Sequence, residues 1–512
     1  MSRNTLPLSE QLSYRGKVFL ALAVGMFTLC LAILGPSTQI AAIIVLLLLL
    51  LIMAAHGIWK KPQTWISVLV VSSFLSLPTF LKVSLGNGLI NVRIGMIGLV
   101  LALLWVLTRW TGRPQKWYAR HGGGLILMGL GFLLSSTLRY MGVGYRGTEM
   151  SLGGDITQFQ GHLPYLGNLA LKGVSSSVLL ISYVVTYLVL QNLIAHDRRR
   201  LSIALQSFIG ASAFYCFVLV LAIGISVLRF GSDIARWIIG IRGLEYWRYV
   251  SLLEPRLTLG PAEGTLFAVG SVMALACAIS PTLKAQTKVT YFALGVILLV
   301  GTVLSLSRGA WITLLLGWSA LLVIGVYKRI LRMQHIVAMI ATIGFMFLIG
   351  GLISSLVPGL VSSLGLASRI QRSLDISTGT GLARIESARR QFEAFLGRPI
   401  LGNGAETYKL LTEGLPAENL LVEILYSAGL LGFVPFVISI AGVLLHALRA
   451  IRRLTLSRDY QLNPWIIPTF LGSISFIVGV QTNSSGWFPQ FWILLALLAA
   501  ALSQADSNGF NA

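Results

Sequence analysis

Long apolar runs broken by short basic stretches fill the chain from end to end. The run "IAAIIVLLLLLLIMAA", Ile40 to Ala55, holds no polar residue, and comparable runs recur to the C-terminal region. About 20 apolar residues cross the hydrocarbon core of a bilayer. Backbone groups in lipid must find partners within their own segment, so each run predicts a helix. Fourteen spans follow, near 18–35, 39–57, 64–83, 88–108, 123–139, 173–194, 202–228, 264–280, 289–306, 309–327, 336–356, 420–448, 465–481 and 487–503. The expected fold is an all-α polytopic membrane protein with about 14 transmembrane helices, its first run a true span because a second follows almost at once.

Composition supports that reading. Of 512 residues 55% are hydrophobic and 11% charged, well below the roughly 25% charged of soluble domains. Cys30, Cys216 and Cys277 all fall in apolar runs. An odd number without a pairing pattern predicts small buried hydrophobes, not a disulfide framework or metal cage.

The formal charge of +22 divides by side. Short cytoplasmic loops accumulate lysine and arginine. With the N-terminus inside, every inner segment is basic: Arg3, Arg15 and Lys17; Lys60 and Lys61; Arg109, Arg113, Lys116 and Arg120; Arg198 to Arg200; Lys284 and Lys288; Lys328, Arg329 and Arg332; Arg449, Arg452, Arg453 and Arg458. Both termini are then cytoplasmic, and the charge implies no nucleic-acid partner. The outer side nevertheless keeps more arginines than this rule predicts.

Three long segments face outward: Arg139 to Lys172, Arg229 to Glu263, and 357–418, the long outer loop before the twelfth helix. In the second, arginines alternate with Trp237, Tyr246, Trp247 and Tyr249. This is either an interfacial aromatic belt or a surface where sugars stack and guanidinium forks hold anions. The third contains "GLARIESARRQFEAFLGRPILGNGAETY". Leu382, Ile385, Phe392, Phe395 and Leu396 recur there at helical spacing, with Arg384, Arg389, Arg390 and Glu393 between them. That pattern predicts a helix lying at the interface and closed by Gly397 and Pro399. Gly402 and Gly404 mark a turn and carry only a weak phosphate-cradle signal.

Arg308, in "LSLSRGAWITLLLG", falls in the short outer connection between the ninth and tenth spans. A charge so placed is costly and points to function; the alternative is an anchor snorkelling to headgroups. Two serines and a glycine beside it make a narrow, polar, anion-ready corner.

These residues are similar to a known family. "SLSRGAWITLLLG", then "RIESARRQFEAFLGRPILGNGAETY", then "PAENLLVEILYSAGLLGF" resemble, in order, the signature segments of the O-antigen ligase and O-antigen polymerase superfamily; "RLTLGPAEGTLFA" resembles an upstream arginine–glycine segment. The likeness covers roughly residues 250 to 435. It implies a GT-C-like membrane glycosyltransferase of the bacterial plasma membrane, with its active site facing the periplasm or outside. Its donor would be a polyprenyl-diphosphate-linked oligosaccharide, transferred without cofactor or metal. The resemblance also implies a glycan acceptor, the lipid bilayer as surroundings, and polysaccharide export or chain-length proteins as possible partners. Three regions result: N-terminal helices in 1–250, the ligase-like core in 251–448 including the outer loop, and a C-terminal hairpin in 449–512.

Pyrophosphate as leaving group gathers negative charge as the glycosidic bond breaks. A preorganised donor in a dry pocket is worth roughly 3 kcal/mol against such charge. Carried over by motif, Arg308 and Arg384 take that role, with Arg256 a weaker third; Arg389 and Arg390 join as substrate-binding candidates. The acceptor hydroxyl needs a base. Many ligases have a His-Asn pair where this chain has Glu418 and Asn419. Glu418 is the candidate base, or pairs with an arginine and orients substrate, or merely favours a helix N-terminus. Glu423, one turn on, could partner it, and His162, the one histidine placed outside, could replace it. The missing histidine tilts the reading to a polysaccharide polymerase over an O-antigen-type ligase. A transporter of a small anion or lipid-linked glycan, or a scaffold subunit, stays open beside both.

Overall fold

The computed structural model describes residues 62–75, 82–85, 90–93, 118–140, 163–195, 197–230, 261–305, 307–331, 380–405, 407, 419–453, 464–481 and 489–507. The expected spans at 18–35, 39–57 and 336–356, most of 88–108, and both termini lie outside the described residues.

Eleven helices form among the described residues: α1 Pro62–Leu75, α2 Tyr118–Tyr140, α3 Leu163–Ala195, α4 Arg198–Phe230, α5 Pro261–Ala278, α6 Ala285–Leu304, α7 Arg308–Tyr327, α8 Thr380–Leu396, α9 Leu420–Arg453, α10 Ile466–Val480 and α11 Pro489–Ser507. Five stretches are long and apolar enough to cross a membrane: Ser176–Ala195, Arg198–Leu221, Ala285–Leu304, Arg308–Tyr327 and Leu420–Arg453. Gly122–Leu138, Ala262–Ala278 and Ile466–Val480 are shorter apolar helices. The protein is a multi-helix membrane protein, and within the described residues the expected spans from 123 onward coincide with helices.

The structure corrects one region. Helices were expected over 64–83 and 88–108; α1 covers Pro62–Leu75, but Lys82–Leu85 (β1) and Ile90–Arg93 (β2) pair as an antiparallel hairpin. The register pairs Lys82 with Arg93 and Leu85 with Ile90. In "KVSLGNGLINVR" polar and apolar residues alternate around Gly-Asn-Gly, a hairpin signal that outweighs average hydrophobicity.

Two helices form the centre. α5 packs against α4, α6, α7 and α10, while α11 packs against α1, α3, α4, α9 and α10. Phe491 to Leu502 of α11 are all buried, so this helix is apolar on every face because protein surrounds it. Small residues let axes approach, as in membrane bundles generally: a Cβ on Gly317 of α7 would lie 2.5 Å from Val272 Cγ2 of α5. Cys216 and Cys277 are buried free thiols, Cys216 donating to Ile297 O at 3.3 Å.

Side-chain contacts sort the helix ends. Lys328 Nζ, beyond α7, donates to Arg452 O near the end of α9 at 2.8 Å. His446 of α9 meets Asp506 of α11 at 3.2 Å, and Gln504 Nε2 donates to Ile194 O at the end of α3. One end of the bundle thus collects Arg198 to Arg200, Lys328, Arg329, Arg449, Arg452 and Arg453. Burial holds the Lys328 ammonium below the usual lysine range. The opposite end carries the site.

Candidate functional site

The α6–α7 connection is the sharpest turn at that end. Ser305 closes α6, its Oγ donating to Thr302 O at 2.7 Å. Ser307 caps α7 from an extended conformation, its Oγ accepting from Ala310 N at 3.4 Å. Ser307 N donates to Ser305 Oγ at 3.4 Å. Both serines are therefore spent on building the corner. Arg308 is the first residue of α7 and half-buried. Its guanidinium stands at the positive end of the helix macrodipole, with no acid in that first turn. Guanidinium and helix N-terminus both favour negative charge, so the corner suits an anionic group.

Three further helix ends close around this turn. α5 begins against it: a Cβ on Gly264 would lie 2.6 Å from Ser305 Cβ and 3.0 Å from Ala310 Cβ. α10 finishes beside both, since a Cβ on Gly479 would meet Thr265 of α5 and sit 2.8 Å from Thr313 Oγ1 of α7. Gln481, just past α10, then joins α9. Asn419 Nδ2 donates to Gln481 O at 3.3 Å, and Gln481 Oε1 accepts from Leu421 N at 3.4 Å. Asn419 Oδ1 also accepts from Val422 N at 3.1 Å, capping α9. Asn419 and Arg308 accordingly occupy the same end of the bundle, bridged by Thr313, Gly479 and Gln481.

α9 is not one helix but two. Gly429 has φ 59° and ψ −162° inside it, a conformation open essentially to glycine alone. Such a break strands carbonyls above and N–H groups below. The loop after α8 satisfies both sets. Asn403 N and Gly404 N donate to Tyr426 O and Ser427 O, while Leu430 N and Leu431 N donate to Pro399 O and Ile400 O, at 2.8–3.1 Å. Gly402 (φ 71°) and Gly404 (φ 84°) give the loop its shape. Ser135 Oγ of α2 adds a bond to Ser427 O, and Ser136 Oγ accepts from Ala405 N. The N–H groups of residues 402 to 404 are all engaged within the protein, so the turn is a clasp on α9.

α8 carries three stripes. Ser387, Gln391 and Phe395 are buried on the side packed against α9. Glu386, Arg389, Arg390 and Glu393 form a charged stripe, with Arg389 and Arg390 each 3.1 Å from Glu386. Hydrogen bonds from Arg390 and then Arg389 hold the Glu386 carboxyl below the usual carboxylate range. Ile385, Phe392 and Leu396 point outward at 55%, 46% and 60% exposure, continued by Ile400 and Leu401. The amphipathic helix is present as expected, but its buried side is mainly polar and most of its apolar side is exposed.

The candidates divide accordingly. Arg308 and Asn419 share one end; Arg389 and Arg390 lie on the exposed charged stripe of α8. Arg384 belongs to α8, three residues before Ser387, with its side chain outside the described residues. Glu418, Arg256 and His162 also lie outside them, immediately before Asn419, five residues before α5, and immediately before α3. Glu423 is 7% exposed within α9. No three metal-ligating side chains cluster among the described residues. Sequence reasoning missed Gln481, whose signal was a lone amide ending the apolar run "ISFIVGVQ", and Gly429, whose only signal was glycine in "SAGLLG".

Residues 293–437 match the family model described as O-Antigen ligase. No curated protein matches the chain significantly. The matched stretch contains Arg308, α8, the clasp, Asn419 and the Gly429 break. Residues 293–437 are therefore similar to the O-antigen ligase family, a likeness that supports an O-antigen ligase or polymerase type of membrane enzyme.

Proposed function

We propose that the protein transfers a polyprenyl-diphosphate-linked glycan to another lipid-linked repeat, as a polysaccharide polymerase on the outer face of the bacterial plasma membrane. The observation that carries this reading is Arg308 at the N-terminus of α7, on the same bundle end as Asn419 and within the matched stretch. Arg308 and Arg384 stabilise the negative charge that grows on the departing diphosphate, Arg256 assisting, and no metal is needed where guanidinium groups neutralise the phosphates. The acceptor hydroxyl gives its proton to a carboxylate at the head of α9, for which the sequence nominates Glu418. Asn419, Arg389, Arg390 and His162 would contact the glycan or its phosphates.

Purified protein in liposomes with a lipid-linked repeat tests this directly. Ladders of longer lipid-linked chains are expected. Transfer to a lipid A core in their place would make it a ligase; no transfer to any glycan acceptor would remove the proposal. Transport is less favoured by the break in α9. Transporters use such breaks to expose backbone groups to substrate, whereas here the 398–404 loop occupies both half-helix ends.

A further inference from the structure

Glu423 is a carboxylate buried in the first turn of α9. It is 7% exposed, on the turn after Asn419, whose carbonyl accepts from Glu423 N at 3.0 Å. Asn419 already caps the helix. Dipole stabilisation needs only an acid at the surface of the first turn, and burying a carboxylate costs several kcal/mol before any compensation. The surroundings are polar and ordered. Above it the Asn419 and Gln481 amides join α9 to α10. Below it on the helix, Tyr426 Oη meets Thr407 Oγ1 at 2.9 Å, and Ser427 O receives Ser135 Oγ and Gly404 N. These groups form a polar column down the inner side of the short upper half of α9. Among the described residues Glu423 is the carboxylate of this column, on the bundle end that holds Arg308.

We propose that Glu423 is the proton acceptor of the transfer reaction, with Glu418 left to hold the acceptor sugar in place. This rests on the transfer reading above. The acceptor hydroxyl loses its proton to the Glu423 carboxylate as its oxygen bonds to the anomeric carbon of the donor. The anomeric carbon–oxygen bond to the diphosphate breaks, and its electron pair leaves on the phosphate oxygen facing the arginines. No other reactant is consumed.

The test uses the full-length protein and the lipid-linked repeat. Glu423→Gln should lower kcat by about 100-fold or more, leave KM within threefold, and leave the melting temperature unchanged or raised. Glu423→Ala should regain at least tenfold of its lost rate on addition of sodium formate, a small carboxylate that fits the space vacated. A Gln variant within threefold of native activity overturns the assignment. So does a lowered melting temperature combined with no rescue of the Ala variant by formate, which marks a structural acid. Absence of transfer by the native protein removes the underlying reading instead, so the two failures are separable.

Discussion

Gly402 and Gly429 meet main chain against main chain: a Cβ on Gly402 would lie 2.5 Å from Gly429 N, and one on Gly429 would lie 2.6 Å from Gly402 N. The loop and the helix break exist only together. Gly429→Ala meets both the positive φ and this contact. The backbone conformation alone costs on the order of 1–3 kcal/mol, and the overlap with Ile400 O adds to it. A melting temperature lower by several degrees is expected in detergent. Gly123→Ala, where a Cβ meets nothing within 4 Å, is the control; it should be neutral or stabilising by up to about 1 kcal/mol from helix propensity. Equal melting of the two variants would show that the clasp contributes nothing.

Arg308 should be the most sensitive cation of the described residues. Arg308→Ala is expected to reduce transfer by roughly 100-fold, the loss of about 3 kcal/mol of charge stabilisation. Arg308→Lys should not restore it, because an ammonium lacks the planar fork that grips two phosphate oxygens. Arg389→Ala should cost far less, since Arg389 is exposed and already paired with Glu386 and Glu393 along its own helix. A snorkelling anchor would give the reverse for lysine, full activity, and initial rates on the lipid-linked repeat distinguish the two.

The apolar spans were legible because lipid enforces them: Arg308 to Tyr327, and α9 beyond its Gly429 break, leave the backbone no alternative to a helix. The site was legible only at its charges. Arg308 stood out as a cost, whereas Gln481 and Gly429 act through main-chain contacts that leave no periodic trace. α8 shows the deeper reason. In water an apolar stripe marks the buried side of a helix, but in a membrane the surroundings are as apolar as leucine, so the stripe marks the lipid. Phe392 is exposed and Gln391 fully buried on one helix, and hydrophobic spacing alone cannot assign those sides. Hairpin β1–β2 was lost because its apolar residues were averaged into neighbouring spans.

That argument about α8 can be measured. Its exposed stripe adjoins the exposed face of α9, since Leu430 N and Leu431 N bond Pro399 O and Ile400 O. On the half of α9 after the Gly429 break the exposed apolar residues run from Leu430 to Leu448, about 27 Å of helix, close to the roughly 30 Å of a hydrocarbon core. Phe392→Trp should be quenched by brominated lipids and shielded from aqueous acrylamide. Phe395→Trp, buried against protein, should be quenched weakly by both. Strong acrylamide quenching at position 392 would place the stripe in water.

The charged stripe of α8 predicts a pH response of definite sign. The Glu386 carboxyl is held below its ordinary range by hydrogen bonds from Arg390 and Arg389. A depressed carboxylate contributes its stabilisation above the unfolded-state pKa and loses it as pH falls through the lower folded-state value. Between pH 7 and 5 Glu386 therefore stays ionised and both pairs persist. The pairs are exposed, and salt screens them, so the readout must be local. Hydrogen–deuterium exchange of the α8 amides, corrected for intrinsic rates, should show unchanged protection between pH 7 and 5. Glu386→Gln should lower protection equally at both values. Protection in the native protein that already falls by pH 5 would mean that the Glu386 carboxyl is not held below its ordinary range, and that Arg389 and Arg390 are held by something other than this ion pair.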